Sequence, residues 1–166
     1  AKAEAGKPIV SVANGLMASA AYWLAAGISD EIVGLESSRV GSIGVYTVHE
    51  DLSKRAEQLG ISVSLISAGK FKTEGNPFEP LSDEARGQLQ AAVDRAYWAF
   101  VEDVARGRGV TASAVVDGFG EGRALDGPAA RAAGLIDRVG TLEETIARMV
   151  RRRPETSDER RRALAL

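Results

Sequence analysis

Cysteine is absent from this chain of 166 residues. That one gap removes cysteine-protease, thiol redox, iron–sulfur and thiolate-zinc chemistry together. Histidine occurs once, as His49, so a histidine-rich metal site would need carboxylates for nearly every other ligand. Nothing in the spacing of the acids suggests such a site, and no metal or cofactor is expected. No apolar run approaches the ~20 residues of a membrane-spanning helix, so no membrane span is expected within the chain. An excess of one charge is missing too: 21 Lys and Arg oppose 23 Asp and Glu, for a formal charge of -2. The chain therefore carries no electrostatic footprint for nucleic acid, and no nucleic-acid partner is expected. The first ten residues lack an initiator Met and have the pattern of neither a signal peptide nor a transit peptide. The chain is expected to begin partway into a longer protein.

What is present is ordinary globular material, 45% hydrophobic and 27% charged. A chain this long buries roughly 70% of its unfolded surface and needs no disulfide or metal to hold a core. One domain is expected over residues 1–150. Residues 151–166 hold six arginines against three acids and read as an Arg-rich polar tail on an acidic body.

Pro8–Asn14 alternates like a strand, runs through Gly15–Ser19, and gives way to a helix over Ala20–Ala26 closed by Gly27. Asp30–Glu36 reads as a second strand, and the glycine-punctuated run Val40–Val48 could pair beside it. Glu50–Leu59 reads as a short amphipathic helix ended by Gly60, and Ile61–Ser67 (ISVSLIS) as a strand. The order βαββαβ argues for an α/β layer architecture with right-handed crossovers. Beyond an N-cap at Ser82, apolar positions from Ala85 to Val104 keep helical spacing up to Gly107 and Gly109. Thr111–Val116 offers a further helical turn. Asp126-Gly127-Pro128 caps another helix that stops at Gly134, and Thr141 with Glu144 forms a capping box. Tyr97, Trp98 and Phe100 crowd one stretch of the long helix, which points to self-association.

A serine nucleophile needs a group to take its proton. A Ser-His-Asp arrangement would rest wholly on His49, which reads more simply as a solvent-facing residue beside a helix start. Lysine is the other practical base, and the five lysines are Lys2, Lys7, Lys54, Lys70 and Lys72. Lys2 and Lys7 lie at the chain start and Lys54 on a polar helix face, which leaves Lys70 and Lys72, flanking Phe71. Among the serines, Ser19 follows a strand and opens a helix among Ala18, Ala20 and Ala21. Small neighbours let a peptide backbone approach, and a helix N-terminus offers N–H groups where an oxyanion would form. Its surroundings suit an ordinary N-cap as well as a nucleophile. Gly15–Ser19 is not the G-x-S-x-G elbow, which argues against an α/β-hydrolase. Lys70–Thr73 lacks the register of a phosphate-binding loop.

Three separated stretches, Lys7–Ala25 (KPIVSVANGLMASAAYWLA), Val40–Arg86, and Gly122–Gly140 with its Ala-Ala-Gly-Leu-Ile-Asp, resemble the signal peptide peptidase A (protease IV) family of the Clp protease–crotonase superfamily. The resemblance covers roughly residues 7–145 with the motifs in the family's order. It implies an α/β superhelix of β-β-α units and a self-assembling serine endopeptidase with a Ser/Lys dyad. On this chain the implied nucleophile is Ser19, the implied base Lys72, and Ala20 N–H one oxyanion donor. Gly41–Val45 matches the family's Gly-Ser-Ile-Gly-Val, and Ser42 within it is implied to position the lysine amine. The dyad can be completed across neighbouring subunits of a homo-oligomer.

Two departures qualify this. The upstream glycine turn that carries the second oxyanion donor is not in the chain, which is expected to lack the family's first strands and to hold an incomplete site. Ala20-Ala21 stand where cellular members have Gly-Gly. The stretch Lys72–Phe78 is similar to the phage and prophage branch, whose members process head scaffold or portal-associated proteins during capsid assembly. That branch implies a prohead or cytoplasmic setting. The cellular branch implies signal-peptide or membrane-protein turnover, with an anchor outside this chain. A non-catalytic assembly module that keeps the fold is the competing reading, and crotonase-type acyl-CoA chemistry a third. A lysine base must be neutral near pH 7, a fall from about 10.4 to about 7–8 that corresponds to roughly 3–5 kcal/mol. Phe71, the Ile61–Ser67 strand and a subunit interface are the expected sources of that desolvation.

Overall fold

A computed structural model describes residues 7–151 of the chain; the Arg-rich tail expected beyond residue 151, and Lys2, lie outside the described residues. The chain forms two compact units, one made of the residues up to Ile43 together with those from Asp103 onward, the other of Gly44–Glu102.

Among the described residues the first unit holds all the strands: β1 (Val10–Ala13), β2 (Leu16–Ala18), β3 (Glu31–Gly34), β4 (Arg39–Gly41), β5 (Ala124–Asp126) and β6 (Arg138–Val139). They form two three-stranded sheets, ordered β1-β3-β6 and β2-β4-β5. The first is parallel throughout, with Val10 opposite Glu31 and Val33 opposite Arg138. In the second, β2 and β4 run parallel with Ala18 opposite Gly41, and β5 returns antiparallel with Ala124 opposite Gly41. The mixed α/β composition agrees with the expected class.

Helix α1 (Ala20–Ile28) has no charged side chain, and its buried Tyr22, Ala25 and Ala26 belong to the same core as Ile32, Val33, Val40, Val104, Ala130 and Leu135. The Tyr22 hydroxyl donates to the Leu135 carbonyl at 2.8 Å, and burial pushes its phenol well above the ordinary range. The expected stop at Gly27 is not used: the helix runs one residue further and ends on Ser29, whose N–H bonds the Ala25 carbonyl.

In the second unit, α2 (Ser53–Gln58) is shorter than the expected Glu50–Leu59. Helix α3 (Asp83–Arg108) starts where Ser82 was expected to cap it, with Ala85 N–H bonded to Ser82 Oγ at 3.1 Å, and from Asp103 onward it belongs to the first unit. The expected strand Ile61–Ser67 is not one: the segment is non-helical, exposed throughout and joins no ladder. Likewise only the Arg39–Gly41 end of the run up to Val48 is paired. Phe100, expected at a surface with Tyr97 and Trp98, is buried, whereas Trp98 is half-exposed.

The remaining helices keep their caps. In α4 (Ala112–Gly118) the Thr111 hydroxyl accepts from Ala114 N–H. In α5 (Gly127–Ala133) Asp126 accepts from Ala129 N–H and Gly134 closes the helix in a left-handed conformation. In α6 (Leu142–Arg151) the Thr141 and Glu144 bonds are reciprocal, at 2.9 and 3.1 Å.

Within the first unit, α1 and the end of α3 approach so closely that a Cβ added at Gly107 would collide with the Ala26 carbonyl. Alanine is the better helix former by about 1 kcal/mol, but overpacking costs about 1–3 kcal/mol. Gly107→Ala is therefore expected to destabilise the fold, read as a lower urea midpoint at unchanged slope. An unchanged or raised midpoint would contradict this packing.

The same corner has a pH signature. The Trp23 indole N–H donates to Asp103 Oδ2 at 2.9 Å. That bond, followed by the bond and charge of Arg106, holds the Asp103 carboxyl below its usual range. A carboxyl depressed in the folded state stabilises it above the unfolded value, and this contribution is lost as pH falls through the folded value. In a Trp98→Phe background, Trp23 emission should therefore stay constant through about pH 4 and change only below it. Asp103→Asn should abolish the transition.

Candidate active site

Strands β2 and β4 are parallel neighbours that end in register at Ala18 and Gly41, so the next residues, Ser19 and Ser42, emerge side by side from the carboxyl ends of adjacent strands. Open α/β sheets place ligands at such ends. The Ser19 N–H bonds the Gly41 carbonyl at 2.8 Å and the Ser42 N–H bonds the Arg123 carbonyl at 2.9 Å. The row thus extends across β4 to the residue preceding β5.

Both serines have left-handed backbones, φ 54° at Ser19 and 53° at Ser42, a region that costs a side-chain-bearing residue about 1–3 kcal/mol. The neighbouring turn is left-handed at three successive residues, Gly120, Glu121 and Gly122, and the Arg123 N–H closes it on the Gly120 carbonyl at 2.8 Å. Gly41 has no alternative residue: at φ 111° an added Cβ would lie 2.8 Å from a Leu135 methyl. Three strained turns therefore converge on one end of one small sheet.

Ser19 occupies the N-cap position of α1, yet its hydroxyl makes no capping bond. The ordinary N-cap alternative fails on that point, because capping requires the side-chain oxygen to accept from the first turn. The first intrahelical bond runs from Trp23 N–H to the Ser19 carbonyl at 2.9 Å, which leaves the N–H groups of Ala20, Ala21 and Tyr22 outside the ladder. No acid stands in the first turn to offset the positive end of the helix dipole. Ser19, Ala20 and Ala21 are all exposed.

The two lysines left open by elimination lie in the second unit and differ. The Lys70 ammonium sits over the Phe71 ring, 4.4 Å from its centroid. Lys72 is exposed in a turn where its N–H bonds the Gly69 carbonyl at 3.2 Å. The desolvation expected there from Phe71 and an Ile61–Ser67 strand is not supplied by this chain: Phe71 is itself half-exposed and the strand does not form.

The turn that follows Lys72 is built around Asn76. Its amide donates to the Thr73 carbonyl and to Glu79, and its oxygen accepts from Phe78 N–H. Instead of facing solvent, His49 is half-buried, with Nε2 3.0 Å from the Asn76 carbonyl. Among the described residues, no group of three or more His, Asp or Glu could hold a metal ion, and no helix is long and apolar enough to cross a membrane.

Sequence reasoning missed the contribution of Gly120–Arg123 to this end of the sheet. The signal was the Gly-Glu-Gly spacing, which marks left-handed turns.

The fold and this end of the sheet define an α/β protein with an exposed, uncapped serine at a helix head. Residues 1–153 match the profile of peptidase family S49, and the chain belongs to that family. It is 36% identical over 143 residues to a putative protease of Methanocaldococcus jannaschii, covering 86% of this chain and 45% of that protein. It is 32% identical to capsid assembly protease C of Escherichia phage lambda, covering 86% of this chain and 32% of the phage protein. To a putative signal peptide peptidase SppA of Enterococcus faecium it is 34% identical, covering 84% and 40%. The chain thus spans less than half the length of these relatives.

The backbone strain at Ser19 gives a test that needs no activity. Glycine adopts φ near +54° without penalty, so Ser19→Gly should be more stable than Ser19→Ala by about 1 kcal/mol. Equal melting temperatures for the two variants would show that the turn is unstrained.

Proposed function

We propose that this chain carries the catalytic residues of a serine endopeptidase that works by acyl transfer, with Ser19 as nucleophile and Lys72 as general base. The observation that carries this reading is the exposed Ser19 hydroxyl on a strained turn at the head of α1, where it makes no capping bond. Ser19 Oγ attacks the scissile carbonyl and its proton passes to the Lys72 amine. The negative charge on the tetrahedral oxygen meets the Ala20 N–H and the helix dipole. The lysine ammonium then protonates the leaving amine, and water hydrolyses the acyl-enzyme by the same route in reverse. The Ser42 hydroxyl orients the lysine amine. No metal or cofactor enters these steps. Residues 1–150 act as one peptidase domain of the β-β-α superhelical kind found in Clp proteases and crotonases.

The substrate is a peptide segment of a protein. Relatives of both kinds match the chain, and it is the likeness of the Lys72–Phe78 stretch to the phage branch that supports a head or scaffold protein, with a signal peptide or membrane protein as the alternative substrate. A lysine base must be neutral, an ordinary lysine titrates near 10.4, and Lys72 is exposed in the single chain. Activity therefore depends on a homo-oligomer in which a neighbouring copy covers this lysine.

A serine-directed fluorophosphonate with peptide mapping tests the nucleophile, and label on any residue other than Ser19 would refute it. Ser19→Ala and Lys72→Ala should each lower kcat/KM at least about 10³-fold, because members of a catalytic unit fail together, whereas Lys70→Ala should cost less than about tenfold. The rate should rise along a limb near pH 7–8, well below the ordinary lysine range. A limb near pH 10 would remove Lys72 from the role.

A further inference from the structure

The stretch that carries Lys72 bonds mainly to itself. Its N–H groups close three successive turns, Lys72 on the Gly69 carbonyl, Glu74 on that of Phe71 and Asn76 on that of Thr73, each at 3.2 Å. The Asn76 side chain knots the far end, its amide on the Thr73 carbonyl and on Glu79 and its oxygen on Phe78 N–H, all at 2.9 Å. Every one of these bonds lies within residues 69–79. Among the described residues only two hydrogen bonds tie this stretch to another part of the chain, and both run to the segment at the start of α2. The Leu52 N–H donates to the Pro77 carbonyl at 2.7 Å, and His49 Nε2 lies 3.0 Å from the Asn76 carbonyl.

A carbonyl only accepts, so His49 Nε2 carries the proton of that bond. The Leu52 tie is made by backbone and asks nothing of the side chain. The tie from position 49 asks for a side chain of this reach with a donor at its tip, and the chain's one histidine stands there, half-buried. Its neighbours Val48, Glu50 and Asp51 are exposed and have no donor to offer in its place. A lysine holds its amine on a flexible four-carbon stem, so the amine is only as well placed as the backbone beneath it. A misplacement of about 1 Å at a reacting group costs on the order of 10²-fold in rate. Binding of the substrate does not depend on that placement, so the loss falls on kcat. We propose that His49 is a positioning residue for the base: by bonding the Asn76 carbonyl, its Nε2–H pins the stretch that carries Lys72 to the segment at the start of α2. The inference rests on Lys72 being the base of the proposed reaction.

Three variants of the full-length protein separate this role from a merely structural one. His49→Leu keeps bulk and removes the donor, His49→Asn has a donor that stops short of the Nε2 position, and His49→Gln restores a donor at the same reach. His49→Leu and His49→Asn should each lower kcat at least about tenfold with KM within about threefold of wild type, and His49→Gln should recover at least about a third of the wild-type kcat. A second readout needs no turnover. In a Ser19→Ala background, with digestion kept well below the melting temperature, trypsin should cut after Lys72 at least about tenfold faster when His49 is replaced by Leu or Asn, because the stretch opens locally more often. The proposal is overturned by a folded variant lacking the donor that keeps the wild-type kcat or loses only in KM, by His49→Gln as slow as the other two, or by equal cleavage after Lys72. An inactive Lys72→Ala beside a fully active His49→Leu overturns this role alone. An active Lys72→Ala overturns the base assignment and this role with it, and faster cleavage would then still register the hydrogen bond.

Discussion

One carboxylate organises the first unit. Asp137 accepts two hydrogen bonds from the Arg108 guanidinium, at 2.7 and 3.0 Å, and a third from the Ile32 backbone N–H at 2.7 Å. The Arg108 Nε meanwhile holds the Gly134 carbonyl. The end of α3, the strand β3 and the turn before β6 are thereby tied to one pair of side chains. Burial works against the Arg108 charge, but the hydrogen bonds and charge of Asp137 outweigh it and hold the guanidinium pKa above its ordinary value. Removing one partner would strand the other, which is costlier than never having had the pair. The sheet end bearing Ser19 depends on this anchor through Leu135, which lies between Gly134 and Asp137, accepts the Tyr22 hydroxyl and fills the space beside Gly41.

The parts of the fold legible in the sequence were those whose chemistry is local. Ser82, Asp126 and the Thr141–Glu144 pair each cap the helix expected of them, because a cap is decided within four residues. Strands β5 and β6 were not legible: three and two residues long, they exist through partners about a hundred positions away in the chain and carry no pattern of their own. Ile61–Ser67 shows the converse. Alternation encodes which side chains share a face, whereas a strand also needs a backbone partner, and within this chain the segment has no ladder.

The candidate site divides along the same line. Ser19 could be singled out from its small neighbours and its place before a helix, and Ser42 from its motif. The strained backbone that both share depends on the in-register pairing of β2 with β4, which no local pattern states. Lys72 was separated from Lys70 by family resemblance. The cation–π contact of Lys70 with Phe71 sets it apart physically from Lys72, a distinction that spacing could not have made.

The sheet β2-β4-β5 also imposes an order in time. Its first two strands are made early and close together, whereas the third is late: Arg39, whose guanidinium donates to the Ala124 carbonyl, precedes that residue by 85 positions. At synthesis rates of about 5–20 residues per second, the chain spends several seconds with the serine end made and its supporting strand unmade. During that interval the left-handed turn at Ser42 has no Arg123 carbonyl to hold it, and an unsupported strained backbone relaxes. The row of strand ends that carries Ser19 and Ser42 is therefore complete only once residues 120–126, late in the chain, have joined it.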